Sequence, residues 1–284
     1  MIRLIKLVVI TALLLIVGSG VFRYMLREKN TIYVGVDGYS APFSITNDIG
    51  ELRGFNIDLM NIIGNALDLN IEFRIIPFSS LERSLTNGQV DVVIAPFDAK
   101  DLKSGDKYLL SIPYYKNNII IVRRNDETSY KLFEKSENKS TSKGYCLTDK
   151  PHVLKFLRKN FSNSKIMIYE STEAAFKALY TGNCIGVVDS RSSANYYITK
   201  HNLKQLNVLD LQGEEHYHLY RVAVSPNNIK LLDNINRAIL YAFQTGQLDK
   251  ISNKWFSRSK SVRYDESKEH NWFYVDKPIK DAKK

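Results

Sequence analysis

The sequence predicts an α/β protein of two lobes, each built on a parallel-type sheet, joined by two hinge crossings. Three observations lead to this expectation. A β-α-β-α-β order of elements occurs twice in series, and each such unit needs a parallel sheet covered by helices on both faces. A further strand and two helices follow the second unit with no sheet of their own. The chain has 284 residues, which is more than one small core organises and suits two lobes of ordinary size.

The first unit opens at Ile32-Tyr33-Val34-Gly35-Val36, a continuous apolar run that reads as a buried strand. Residues 37–54 are turn-rich, with Pro42, Asn47, Asp48 and three glycines. Leu59, Ile62, Ile63, Ala66 and Leu67 then recur at helical spacing. Residues 71–75 alternate and predict a strand. Ser79 with Glu82 three residues on predicts a capping box, opening a helix that turns Leu81 and Leu85 inward and stops at Gly88. Residues 90–95 complete the unit as a second buried strand.

The same order returns later. Residues 144–148 predict a strand and 152–161 a helix with Val153, Phe156 and Leu157 on one face. Residues 166–169 are a strand, 171–180 a helix ended by Gly182, and 185–189 a strand. After residues 220–224, another strand, a helix over 229–243 ends at Gly246 and leads into 248–256. This late material is economically placed back on the first lobe, so that two strands cross between lobes. The expected division is residues 31–116 plus 219–256 for lobe 1 and 117–218 for lobe 2. Residues 257–284 form a mixed-charge tail without clear periodicity, which Trp272, Phe273 and Tyr274 are placed to dock.

Charged residues make up 25% and hydrophobic ones 44% of the chain, the profile of a globular protein. The net charge of +10 comes from lysines and arginines scattered among acids. No basic stripe interleaved with aromatics is present, so nucleic acid is not expected as a partner. No phosphate loop, nucleophile motif or metal-ligand spacing occurs, and neither a cofactor nor a metal is expected. Arg3 and Lys6 precede an uncharged run over residues 7–22. Residues 1–30 thus read as a secretory signal or, since Arg23, Arg27 and Lys29 follow at once, as an uncleaved membrane anchor. In an exported chain the two cysteines, Cys146 and Cys184, favour a disulfide.

In open α/β sheets ligands sit beyond the carboxyl ends of the strands. The candidates from the first lobe are Asp37, Tyr39 and Ser40 after its first strand, Phe78 after its second, and Pro96 and Asp98 after its third. The second lobe offers Lys150, His152, Asp189 and Ser190. Closure of the cleft by hinge motion is the expected mechanism.

These stretches also carry a resemblance. Gly35-Val36-Asp37, Ala41-Pro42-Phe43, Gly50-Glu51-Leu52-Arg53-Gly54-Phe55-Asn56-Ile57-Asp58-Leu59 and Asn87-Gly88-Gln89-Val90-Asp91 come first. Leu110-Ser111-Ile112-Pro113-Tyr114, Thr181-Gly182-Asn183-Cys184, Thr245-Gly246-Gln247-Leu248 and Lys254-Trp255-Phe256 follow in order. The ordered set resembles the amino-acid-binding family of periplasmic solute-binding proteins, in its polar amino-acid branch. The resemblance implies a type II periplasmic-binding-protein fold, a small polar amino-acid-like solute, an ABC transporter permease as partner, a periplasmic location and a monomer. It implies a first-loop contact at Ser40, beside Tyr39, and a stacking aromatic at Phe78. Lys103 stands where the family has a carboxylate-clamping arginine, keeping the charge without the bidentate fork. Lys150-Pro151-His152 stand at a loop of backbone donors, and Pro151 removes one of them. The family's ammonium-binding acid aligns with Ser190, with Asp189 one residue early and so expected on the opposite strand face. A Cys146–Cys184 disulfide beside the pocket is implied for this branch. Two alternatives remain: a periplasmic enzyme on the same fold, similar to cyclohexadienyl dehydratases, and a membrane-tethered sensory protein.

Overall fold

A computed structural model describes residues 30–47, 49–98, 107–126, 143–148, 150–211, 217–256, 261–264 and 272–275. The expected N-terminal signal or anchor lies outside these residues. Among the described residues no helix is long and apolar enough to cross a membrane.

In the first unit, β1 (Thr31–Val36) lies between β5 (Asn70–Ile75) and β6 (Val92–Asp98), parallel to both. Helices α1 (Phe55–Leu67) and α2 (Phe78–Thr86) supply the crossovers. A small antiparallel sheet of β2 (Tyr39–Ser40), β3 (Ser44–Thr46) and β4 (Leu52–Arg53) fills the turn-rich stretch after β1. The capping box does not form. Helix α2 begins before Ser79, with Pro77 as N-cap and no side-chain cap bond. Proline fixes φ near the helical value and so sets the helix start two residues earlier than the Ser–Glu spacing suggests.

The second unit repeats the order. Strand β8 (Tyr145–Thr148) lies between β9 (Ile166–Tyr169) and β10 (Gly186–Ser190), parallel to both, with crossovers α3 (Pro151–Asn160) and α4 (Thr172–Tyr180). Helix α5 (Arg191–Lys200) follows β10 directly and leads to β11 (Leu206–Asp210). Gly88, Gly182 and Gly246 each take φ near +70° just past a helix, as their positions predict.

Strand β7 (Leu109–Arg124) links the units. Its first part pairs antiparallel with β12 (Tyr217–Val224), which also pairs with β6; its second part pairs with β10 and β11. One crossing therefore runs through Asn117–Asn118. The return from β11 to β12 is the second. The last helices, α6 (Ile229–Gln244) and α7 (Gln247–Phe256), pack on α1, so the chain does come back to the first unit. Within the C-terminal tail, where no clear periodicity was found, β13 (Ser261–Tyr264) and β14 (Trp272–Val275) pair antiparallel. Trp272-Phe273-Tyr274 lie in that hairpin; alternating apolar and polar residues in Ser-Val-Arg-Tyr are enough for a short strand.

The cores are separate. The largest joins Val34, Val36, Phe43, Phe55, Leu59, Ile63, Tyr115, Tyr220, Ile239 and Phe256 in the first unit, with a second cluster around Leu81, Leu85 and Val93 on the other face of its sheet. The second unit has one cluster on each face, around Cys146, Phe176 and Leu179 and around Tyr145, Leu147 and Leu157.

Candidate functional site

The site is built where the carboxyl ends of β1 and β10 meet. Asp37 follows β1 directly and is 4% exposed. Ser40 donates its hydroxyl to one carboxylate oxygen of Asp37 and Ser44 donates to the other. This ties the start and end of the loop between β1 and β3 to one buried acid. Phe43 anchors the same loop from below, edge-on to Phe55, Tyr115 and Tyr220. Gly54 closes the arrangement. Its φ is 144°, and a Cβ there would fall 2.1 Å from the Phe43 carbonyl oxygen, so no other residue fits without moving the loop.

In the second unit, Asp189 is 2% exposed at the end of β10. Its Oδ1 accepts from Lys150 Nζ at 2.7 Å and from the Ser190 backbone N–H at 2.7 Å. Thr172 at the start of α4 donates to Oδ2 at 3.4 Å. Lys150 Nζ also reaches Ser193 Oγ at 3.5 Å, and Ser190 donates to the same oxygen at 2.9 Å. Ser193 in turn donates to the Ala41 carbonyl at 2.9 Å. That last bond joins the first unit's loop to the second unit's charged cluster.

The two sides also meet at the crossing strand. Buried Asn117 donates to Ser192 Oγ at 2.5 Å and to Tyr220 Oη at 3.0 Å, and it accepts from the Ser192 N–H at 3.4 Å. Arg191 donates to Asn118 Oδ1 at 3.1 Å and pairs with Asp210. Below Asp37, Tyr114 lies buried with its hydroxyl 3.4 Å from the Ala95 carbonyl. Burial pushes the Tyr114 phenol well above its usual value; nearby Tyr220 adds to this, a hydrogen bond with Asn56 opposes it, and Asp37 raises it further.

Of the residues expected from the sequence, Asp37, Ser40, Lys150, Asp189 and Ser190 are brought together. Asp189 and Ser190 were expected on opposite faces but share one cluster. The strand ends at Ser190, which is the N-cap of α5, and the helix swings Ser193 back to bridge them. Tyr39 is 83% exposed, because alternation along β2 turns Ser40 toward Asp37 and Tyr39 away. Phe78 is half-buried at the start of α2, packed against the Leu81 and Leu85 cluster. Pro96 is buried within β6, and Asp98 ends that strand opposite Tyr220. His152 lies in the first turn of α3, and Lys103 falls outside the described residues. Cys146 and Cys184 form the disulfide, tying β8 to the turn before β10. Thr172, Ser193 and Asn117 were not singled out from the sequence. The signal for Ser193 is its place three residues after an N-cap serine. Asn117 carries no local signal, because its role depends on β12 arriving from a hundred residues away.

Two α/β units, hinged by a crossing strand and meeting through polar strand ends, define a clamshell ligand-binding protein. The profile of bacterial extracellular solute-binding proteins, family 3, matches residues 32–258, and the chain belongs to that family. It is 25% identical over 233 residues to the L-cystine-binding protein TcyJ of Escherichia coli, an alignment covering 81% of this chain and 84% of the relative. It is 27% identical over 254 residues to ABC transporter arginine-binding protein 1 of Escherichia coli, covering 88% and 99%. Among solved structures, the ancestral amino-acid-binding protein AncCDT-1, a precursor of cyclohexadienyl dehydratase, superposes with a TM-score of 0.67 at 21% identity, covering 81% of this chain and 96% of that one. The type II periplasmic-binding-protein fold is thereby established.

Proposed function

We propose that the protein binds a small, polar, amino-acid-like solute between the Asp37 and Asp189 faces and delivers it to an ABC importer. The observation that carries this reading is the Ser193–Ala41 hydrogen bond. It joins two strand-end clusters that belong to different units, at the place where open α/β sheets hold ligands. The printed functions of the relatives, cystine and arginine binding for ABC transport, support an amino-acid-like solute. In this reading residues 31–116 and 219–256 move as one lobe against 117–218. Binding residues are drawn from Asp37, Tyr39, Ser40, Phe78, Pro96, Asp98, Lys103, Lys150, His152, Asp189 and Ser190. The protein works outside the cytoplasmic membrane as a monomer, held to the membrane only if residues 1–30 are retained.

Catalysis is disfavoured by the state of the acids. Asp37 and Asp189 are each hydrogen-bonded by donors from their own chain, whereas a general acid or base needs access to the proton it moves. Thermal denaturation of the purified chain with L-arginine, L-cystine, L-histidine and L-glutamine tests the proposal. Saturable stabilisation by at least one is expected. No stabilisation by any of them, together with turnover of prephenate or arogenate, overturns it.

A further inference from the structure

The first turn of α5 reaches out of its own unit at three successive residues. Arg191 donates to Asn118 Oδ1, Ser192 meets Asn117, and Ser193 donates to the Ala41 carbonyl. The residues just before them, Asp189 and Ser190, end β10 in the cleft cluster and run straight into the same turn. A shift of α5 therefore moves the second unit's face of the site.

Asn117 is the centre of this contact. It lies buried in β7, opposite His218 of β12, where the chain passes from one unit to the other. Its Oδ1 accepts from the backbone N–H of Asn118 at 3.0 Å and of Ser192 at 3.4 Å. Its Nδ2 donates to Ser192 Oγ and to Tyr220 Oη. An amide side chain offers two donors and two acceptor positions, and here all four are engaged, shared among β7, β12 and α5. A buried amide costs free energy unless it is bonded. The arrangement that satisfies Asn117 is thereby favoured over one in which α5 swings away and takes Ser192 with it. Tyr220 does not follow such a movement, because its buried ring packs on Phe43 at 5.1 Å in the first unit's core.

We propose, resting on the binding function above, that Tyr220, Asn117 and Ser192 form a clasp that holds the closed arrangement and sets how slowly a bound solute leaves. All three are buried, so they act as positioning residues, through the units they join. Release requires opening, and contacts made only in the closed arrangement lengthen the bound lifetime more than they change the rate of arrival.

Stopped-flow kinetics with the full chain test this, using whichever of L-arginine, L-cystine, L-histidine and L-glutamine stabilises it. Tyr220→Phe keeps the ring and removes its hydroxyl; Ser192→Ala removes the other side-chain acceptor, from the opposite unit. Each is expected to speed release by about fivefold, the scale of one net hydrogen bond, with association within about twofold of the parent's rate. Both bonds share Asn117, so the double variant should fall short of the product of the single effects. Urea denaturation of each solute-free variant reads folding stability separately. A purely structural role lowers that stability and leaves release at the parent's rate. Unchanged release in either single variant, or fully multiplicative effects in the double, overturns this inference and leaves the binding function standing. Failure of all four amino acids to bind overturns the binding function and this inference together.

Discussion

The two α/β units share one order of elements but are held together differently. The first is fused by aromatics: Phe43 touches Phe55, Tyr115, Tyr220 and Phe256, rings drawn from the loop after β1, from α1, from both linking strands and from α7. Two extra helices, α6 and α7, thicken it, and Lys254 and Trp255 on α7 both donate to Asp58 on α1 at 2.7 Å. Among the described residues the second unit's ring contacts are smaller groups, Tyr145 and Phe156 with Phe161, and Phe176 with Tyr197. A disulfide instead ties β8 to the turn before β10, next to the strand ends where Lys150 and Asp189 pair. The difference shows a division of labour. The first unit fixes a loop by packing, whereas the second fixes charges by a covalent tie and an ion pair.

The comparison breaks first at Phe43. Replacing it with alanine should cost about 3–5 kcal/mol, as for other buried phenylalanines. It should also melt the helices of the first unit ahead of those of the second in hydrogen exchange. A uniform loss across both units would show that the hub is not confined to one of them. Replacing both Cys146 and Cys184 with serine comes next. The bridge closes a span of 38 residues, for which chain entropy gives about 4 kcal/mol. The expected loss of protection lies in β8, β10 and the intervening helices, with the first unit unchanged.

Smaller effects sharpen the seam. Ser193→Ala removes the donor to Ala41 and should weaken solute binding by about 1 kcal/mol. Thermal stability of the solute-free chain should fall by a similar amount, and an unchanged affinity would mean that the bond plays no part in closure. The smallest effect is alkaline. Tyr114 holds its proton more tightly folded than unfolded, since burial disfavours the phenolate. Its contribution is therefore fully present below the ordinary phenol value of about 10 and lost as pH rises above it. Tyr114→Phe should flatten the fall in stability above that pH relative to the parent chain.

The architecture was legible because apolar periodicity is local. Val34, Leu59, Ile63, Leu81, Leu85, Val153 and Leu157 all lie in the core, as their spacing predicts. The site itself was legible by element and only partly by residue. Asp189 and Lys150 stand at strand ends and could be placed there, but their pairing spans 39 residues and depends on β8 lying beside β10. Asp189 and Ser190 come into one cluster through Lys150 and Ser193, side chains at the starts of α3 and α5 that strand alternation does not reach. The Tyr39 side chain is exposed for the reverse reason, since a two-residue strand formed where only a loop was foreseen.

The central claim is that the two faces close on a solute. Small-angle scattering of the purified chain, with and without a saturating amount of an amino acid that stabilises it, tests this most directly. A smaller radius of gyration in the bound state, abolished when Asn117 in the crossing strand is replaced by proline, is the predicted result. Saturable binding with an unchanged radius of gyration would contradict it.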